Sequence, residues 1–214
     1  MAREDGQAAG RPTAERILTA AAELFALKGF HATTTREIAA AVGVRGASVY
    51  HHFPSKAEIL YQIAFRAIED LLAMGRQAVE SSDEPERQLR RLVEWHVRYH
   101  AERRVQARVA DEQLHALTPA RRAEVAAVRD EYEGLFRSVL AEGRDRGWPI
   151  DDVAVTTFAI ATMASGVCVW FRDDGRLSAD AVASIYGDLV VRAVTCGFQP
   201  TAEASVASRA KERP

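Results

Sequence analysis

Proline and glycine are scarce in this chain, with 7 and 13 residues among 214. That is too little punctuation for the closely spaced turns of an all-β protein. Cysteine is scarcer still. Cys168 and Cys196 stand far apart with no CxxC and no Cys–His cluster, so neither a disulfide scaffold nor a thiolate metal site is indicated; two buried thiols in a reducing cytoplasm are expected. The segment Met1 to Pro12 has no apolar stretch, and no export signal is expected there. Neither sign of charge prevails: 28 basic residues face 30 acids, for a net charge of −2. Also missing are Gly-x-Ser-x-Gly, HExxH and a glycine-rich phosphate loop, and the chain is not expected to be an enzyme. One long uncharged run exists, Val153 to Phe171, of bilayer-spanning length. It contains Thr156, Thr157, Thr162, Ser165 and Gly166 and has no positive-inside flank, so it reads as a helix buried on nearly all sides, in a core and against a partner, not a membrane span.

What is present is helical. Alanine, arginine, glutamate and leucine dominate, a helix-favouring mixture. From Thr13 the apolar stripe Ile17, Leu18, Ala21, Ala22, Leu24, Phe25 repeats at helical spacing and stops at Gly29. Thr34 with Glu37 forms a capping box for a short helix ending at Gly43. Another short helix, Gly46 to His52, halts before Pro54. Ser55 with Glu58 starts a long helix, and Ser81 to Glu84 interrupts it. Helices then follow from Pro85 to about Glu102, from Val105 to Ala116, from Pro119 to about Arg146, from Asp151 to Phe171, and from a Ser178 cap to Cys196. The fold class is all-α, about nine helices: a tail over 1–12, a three-helix helix-turn-helix domain over 13–56, a helical ligand-binding and dimerisation domain over 57–199, and a polar tail over 200–214.

Two helices of about eight and seven residues are too short to stand alone. The stripe of the first helix gives them a platform. Ala39 is small where they must cross, Gly43 makes the turn, and Val44 and Val49 face inward, while Arg45, Ser48, Tyr50, His51 and His52 face out. This suits a helix-turn-helix whose second member enters the major groove, although spacing alone equally allows a plain helical hairpin with solvated faces. Between Phe25 and Lys56 four basic residues meet a single acid, which marks this tip as the more positive end of the chain.

The residues Gly29-Phe30-His31-Ala32-Thr33-Thr34-Thr35-Arg36-Glu37-Ile38-Ala39, Gly43-Val44 and Ser48-Val49-Tyr50-His51-His52-Phe53-Pro54-Ser55-Lys56 resemble the N-terminal domain of the TetR/AcrR family of transcriptional regulators. The likeness runs from Thr13 to about Leu60. It departs at Arg45, where the family often has Ser or another capping residue. The resemblance implies that Thr34, Thr35 and Arg36 meet phosphate at the start of the second helix. It places Arg45, Gly46, Ala47 and Ser48 over base edges, and Tyr50 and His51 on phosphate or sugar. Lys56 is implied to clamp a further phosphate, whereas His52 is expected to pack beside Phe53.

A seven-residue helix spans only about 10 Å and reads few base pairs, so useful specificity requires a dimer on a near-palindrome of double-stranded DNA. The uncharged helix and the last helix are the expected homodimer interface, with Ala159, Ala164, Ser165, Gly166, Ile185, Leu189 and Val190 at the contact. The family resemblance implies a small-molecule effector in the larger domain. Trp95, Tyr99, Asp111, Glu112, His115, Phe136, Phe158, Met163 and Trp170 are the candidates to line its cavity. A softer likeness, in the Asp111-Glu112 pair and the Trp170-Phe171-Arg172 ending, is to the branch that responds to acyl-CoA thioesters, whose phosphates Arg91, Arg104, Arg108 and Arg172 would meet. His96 with His100 and Asp111 with His115 have helical spacing for a metal, but no fuller cluster supports one, and no cofactor is implied. The alternative to a repressor is a cytosolic small-molecule or metal-binding protein, or an activator, without induced DNA release.

Overall fold

The computed structural model describes residues 12–196, and the tails expected over 1–12 and 200–214 lie, Pro12 apart, outside them. All regular structure among the described residues is helical. α1 (Thr13–Lys28) buries Ile17, Leu18, Ala21, Ala22 and Phe25. It is the platform on which α2 (Thr35–Val42) and α3 (Gly46–His52) sit, through Ile38, Ala39 and the fully buried Val49. Gly43 joins them with φ of 72°, a left-handed conformation that a side chain would strain. The Arg16 guanidinium ties the same corner by donating to the Val42 carbonyl at 2.6 Å.

α4 (Lys56–Glu80) leaves this head and runs into the larger domain. Ser55 Oγ accepts the Glu58 amide, but the reciprocal half of the expected capping box is absent. The Glu58 carboxylate goes instead to Gln62 and Arg121, because a partner on another helix lies within reach. α4 packs against α7 (Pro119–Asp145) so closely at Gly75 that a Cβ there would stand 2.8 Å from Leu135 Cδ1. α5 (Pro85–Glu102) lies antiparallel to α10 (Ala179–Cys196): Arg90 pairs with Asp188, and Arg98 with Asp180.

Two helix expectations change. The helix foreseen to Ala116 is α6 (Arg104–Glu112) followed by a 3₁₀ turn, Leu114–Ala116. The uncharged run is cut at Gly166 into α8 (Val153–Ser165) and the four-residue α9 (Val167–Trp170), since the Val169 amide bonds back three residues to the Gly166 carbonyl. Within the protomer that run is buried on one side only, and the side expected to meet a partner is open. Val155 and Phe158 are 66% and 72% exposed. Both cysteines are free, but only Cys168 is partly buried, and burial raises its thiol pKa; Cys196, at the end of α10, is exposed.

Candidate nucleic-acid interface

The start of α2 is built by a complete capping box. Thr34 Oγ1 accepts the Glu37 amide, and a Glu37 carboxylate oxygen accepts the Thr34 amide at 2.8 Å. The other carboxylate oxygen takes the Lys28 ammonium at 2.6 Å. The bond from Lys28, then those from the Thr34 amide and hydroxyl, lower the Glu37 carboxyl from 4.5 to about 2. The acid nearest the tip is therefore ionised but neutralised locally, and it does not oppose an approaching phosphate. The Thr35 and Arg36 amides have no partner among the described residues. They lie at the positive end of α2, where an anion is favoured.

α3 presents its polar side outward. Arg45, Gly46, Ala47, Tyr50, His51 and His52 are exposed, Ser48 is half-buried, and Val49 and Phe53 anchor the helix in the core. Arg45 caps α3 by backbone alone, its carbonyl accepting the Ser48 amide, so its side chain is left to project. Arg36 and Arg45 make no ion pair or hydrogen bond among the described residues. Many arginines of the larger domain are bound to carboxylates, including Arg90, Arg98, Arg121 and Arg129. The Tyr50 hydroxyl lies 3.0 Å from Thr35 Oγ1, which brings the α2 start and the recognition helix onto one surface.

One expectation at the tip changes. Lys56 is turned inward: its ammonium donates to the carbonyls of Phe30 and Thr33 at 2.6 Å and of His31 at 3.2 Å, and it sits 4.5 Å from the Phe30 ring centroid. With three donors engaged by the α1–α2 loop, it is a clamp on that loop and not on a phosphate. His52 is exposed, and its ring lies beside that of Phe53, with the centroids 6.4 Å apart, as expected.

The residues expected to line an effector cavity are not gathered in one place. Tyr99 and Phe136 are buried in the core and Trp95 is partly so. Asp111, Glu112 and His115 are exposed, with Asp111 paired to Arg129 and Glu112 to Arg108. Phe158, Met163 and Trp170 stand exposed on the outer side of the larger domain, because α8 is apolar on every face and its sequence does not say which face turns in. Of these, Met163 lines, with Ala159 and Leu189, an apolar groove of about 940 Å³ between α8 and α10. Ala164 and Val190, assigned to the same contact, are instead 1% exposed inside the protomer.

Sequence reasoning missed a polar network in the core. His96 bonds through one ring nitrogen to the Tyr132 hydroxyl and through the other to Ser165 Oγ, each at 2.9 Å. Ser165 is thus held inward, not offered to a partner. His100 stacks on His96 at 4.2 Å and donates from Nδ1 to the His96 carbonyl. With both nitrogens of His96 occupied, the i, i+4 histidines do not form a chelate. Desolvation lowers both imidazole pKa values, that of His96 well below 6.5.

Known proteins resemble the chain in both halves. A family profile described as "Bacterial regulatory proteins, tetR family" matches residues 17–63, and one described as "Tetracyclin repressor-like, C-terminal domain" matches residues 82–194. The transcriptional repressor KstR2 of Rhodococcus jostii is 33% identical over 187 residues, covering 85% of this chain and 90% of that protein. Among solved structures, the regulator PfmR of Thermus thermophilus superposes with a TM-score of 0.77 at 38% identity, covering 86% of this chain and 99% of that one. KstR2 of Mycobacterium tuberculosis does so with a TM-score of 0.80 at 26% identity, covering 86% and 95%. The capped α2, the Gly43 turn and the outward recognition helix are thus those of a helix-turn-helix head, and the chain belongs to the TetR family of transcriptional regulators.

Proposed function

We propose that the protein is a cytoplasmic repressor that binds a near-palindromic operator as a homodimer and is released by a small, largely apolar effector. The observation that carries the reading is a set of groups on the head: the unpaired Arg36 and Arg45 guanidiniums, the unpaired Thr35 and Arg36 amides, and the Tyr50 hydroxyl fixed on Thr35. Such groups position a protein on phosphate, and arginine at the start of a recognition helix reads guanine edges. The relatives named as repressors support the sign of regulation. Dimerisation through α8 and α10 is supported by Phe158 on the one and Ile185 and Leu189 on the other, large apolar side chains left exposed in the protomer.

For the effector, the acyl-CoA reading rests on a cleft of about 530 Å³ between α6 and α9, lined by Arg104, Arg108 and Arg172 beside Cys168 and Phe171. Arg172 makes no ion pair among the described residues, while Arg104 is held by Asp173 and the Phe171 carbonyl. Arg108 also reaches the Ala26 carbonyl at the end of α1, at 3.4 Å, so an anion drawing on Arg108 pulls at a contact between the larger domain and the head. With α4 as the lever, a coupling of about 1–3 kcal/mol lowers DNA affinity roughly 5- to 150-fold. Selection of bound duplexes from a random pool tests the core of the reading: recovery of a two-fold-related sequence supports it, and recovery of no enriched sequence refutes it.

A further inference from the structure

Where the head meets the larger domain, a cleft of about 640 Å³ opens between α1, α4 and the α5–α6 junction. Its floor is apolar, formed by the buried Leu18, Ile63 and Ala67. Tyr99 of α5 makes the inner wall. This residue is only 5% exposed, yet its hydroxyl bonds to no group among the described residues. Every sealed side-chain nitrogen or oxygen among those residues does have a partner, so the Tyr99 hydroxyl is not sealed; it opens on the cleft that the residue lines. A hydroxyl desolvated on its other sides and left without a partner is unfavourable unless something in the cleft bonds to it.

The rim fixes the charge of that partner. Asp70 is matched by Arg103 at 3.7 Å, and Arg103 lies 5.6 Å from the Tyr99 ring centroid. Glu15 from α1, Glu69 from α4 and Glu102 from α5 make no ion pair among the described residues, and Arg66, bonded only to Gln62, is the single unmatched cation on the rim. The potential in the cleft is negative, and an anion is repelled from it.

We propose that this cleft is a ligand site for a small organic cation. Its ammonium group donates to the Tyr99 hydroxyl and to the rim carboxylates, while its apolar body lies on Leu18, Ile63 and Ala67. The volume falls within the roughly 300–1,000 Å³ of ordinary small-molecule pockets. The site is distinct from the arginine-lined cleft beside α9, which suits an anion. Because α1 belongs to the head and Tyr99 to the larger domain, a bound cation bridges the two and holds the head in one orientation. Only that consequence rests on the DNA-binding reading.

Calorimetric titration of the full-length protein with benzylamine, against benzyl alcohol as its neutral counterpart, tests the site. The amine is expected to bind saturably, one per protomer, and the alcohol not to. Tyr99→Phe is expected to weaken the amine about 3- to 10-fold, and the paired change Glu15→Gln with Glu102→Gln at least as much, with thermal unfolding confirming that each variant is folded. Absence of saturable binding overturns the proposal, as does an affinity unchanged in both variants. Operator binding followed in parallel separates the two readings: a protein that takes the amine but ignores DNA contradicts the function of the head and leaves the site standing.

Discussion

The Tyr50 hydroxyl and the Thr35 hydroxyl meet at 3.0 Å, joining the recognition helix to the first residue of α2. Tyr50 is 55% exposed, so its ring does little for the core, and the bond acts chiefly on where the hydroxyl points. Tyr50→Phe is therefore expected to leave thermal stability nearly unchanged and to weaken operator binding about 2- to 10-fold, the range of a single modest hydrogen bond. Anisotropy titration with a selected duplex measures this. A variant with full affinity would place Tyr50 outside the contact.

Lys56 acts within the chain. Removing the ammonium leaves the carbonyls of Phe30, His31 and Thr33 without their donor and the α1–α2 loop without its clamp. Lys56→Ala is expected to lower unfolding free energy by about 1–3 kcal/mol in denaturant titrations. Unaltered stability combined with a loss of DNA affinity would restore Lys56 to the phosphate backbone.

Acid acts first on the stacked imidazoles. Burial lowers the folded-state pKa of His96 and His100 below the unfolded value of about 6.5, so the fold excludes their charged forms. Stability is then complete above that value and falls as pH drops below it, by up to about 1.4 kcal/mol per pH unit for each imidazole. The positive charge of Arg129 acts in the same direction. Glu37, whose carboxyl is held at about 2, loses its contribution only from its ordinary 4.5 downward, because protonation must then compete with Lys28 and Thr34. Unfolding followed between about pH 7.5 and 5 is expected to show proton uptake on unfolding that His96→Asn reduces; a pH-independent stability over that interval contradicts the assignment.

The apolar face of α8 and α10 is expected to be covered by a second copy. Placing a charge there, as in Leu189→Asp or Phe158→Asp, buries an unpaired carboxylate in the association and leaves the protomer core untouched. Sedimentation equilibrium is expected to show a dimer for the wild type and a monomer for the variants, with unchanged helicity. A wild-type monomer removes the basis for a palindromic site.

Much of the architecture is legible in the chain because local signals carry it. Thr34 with Glu37, Gly43, and Pro at the first positions of α5 and α7 mark helix ends through chemistry confined to a few neighbours. The failures occur where partners are distant. The Ser55–Glu58 pair has the spacing of a capping box, but Arg121 takes the carboxylate. Phe136 and Phe158 are the same residue type, yet one is buried and the other exposed: α7 has a charged side that sets Phe136 inward, whereas α8 has no polar face to set its orientation. Lys56 looks like any basic residue after a cap until the folded loop brings three carbonyls around it. The cleft at Tyr99 draws on α1, α4 and α5, and no local pattern announces it.

The most direct test of the account is a salt titration of binding to a duplex selected from a random pool. For a dimer that makes roughly six to ten phosphate contacts, affinity for that duplex is predicted to fall by about 10³- to 10⁵-fold between roughly 50 and 200 mM salt, and to exceed that for scrambled DNA at every point. Equal affinity for selected and scrambled duplexes, or binding indifferent to salt, would contradict it.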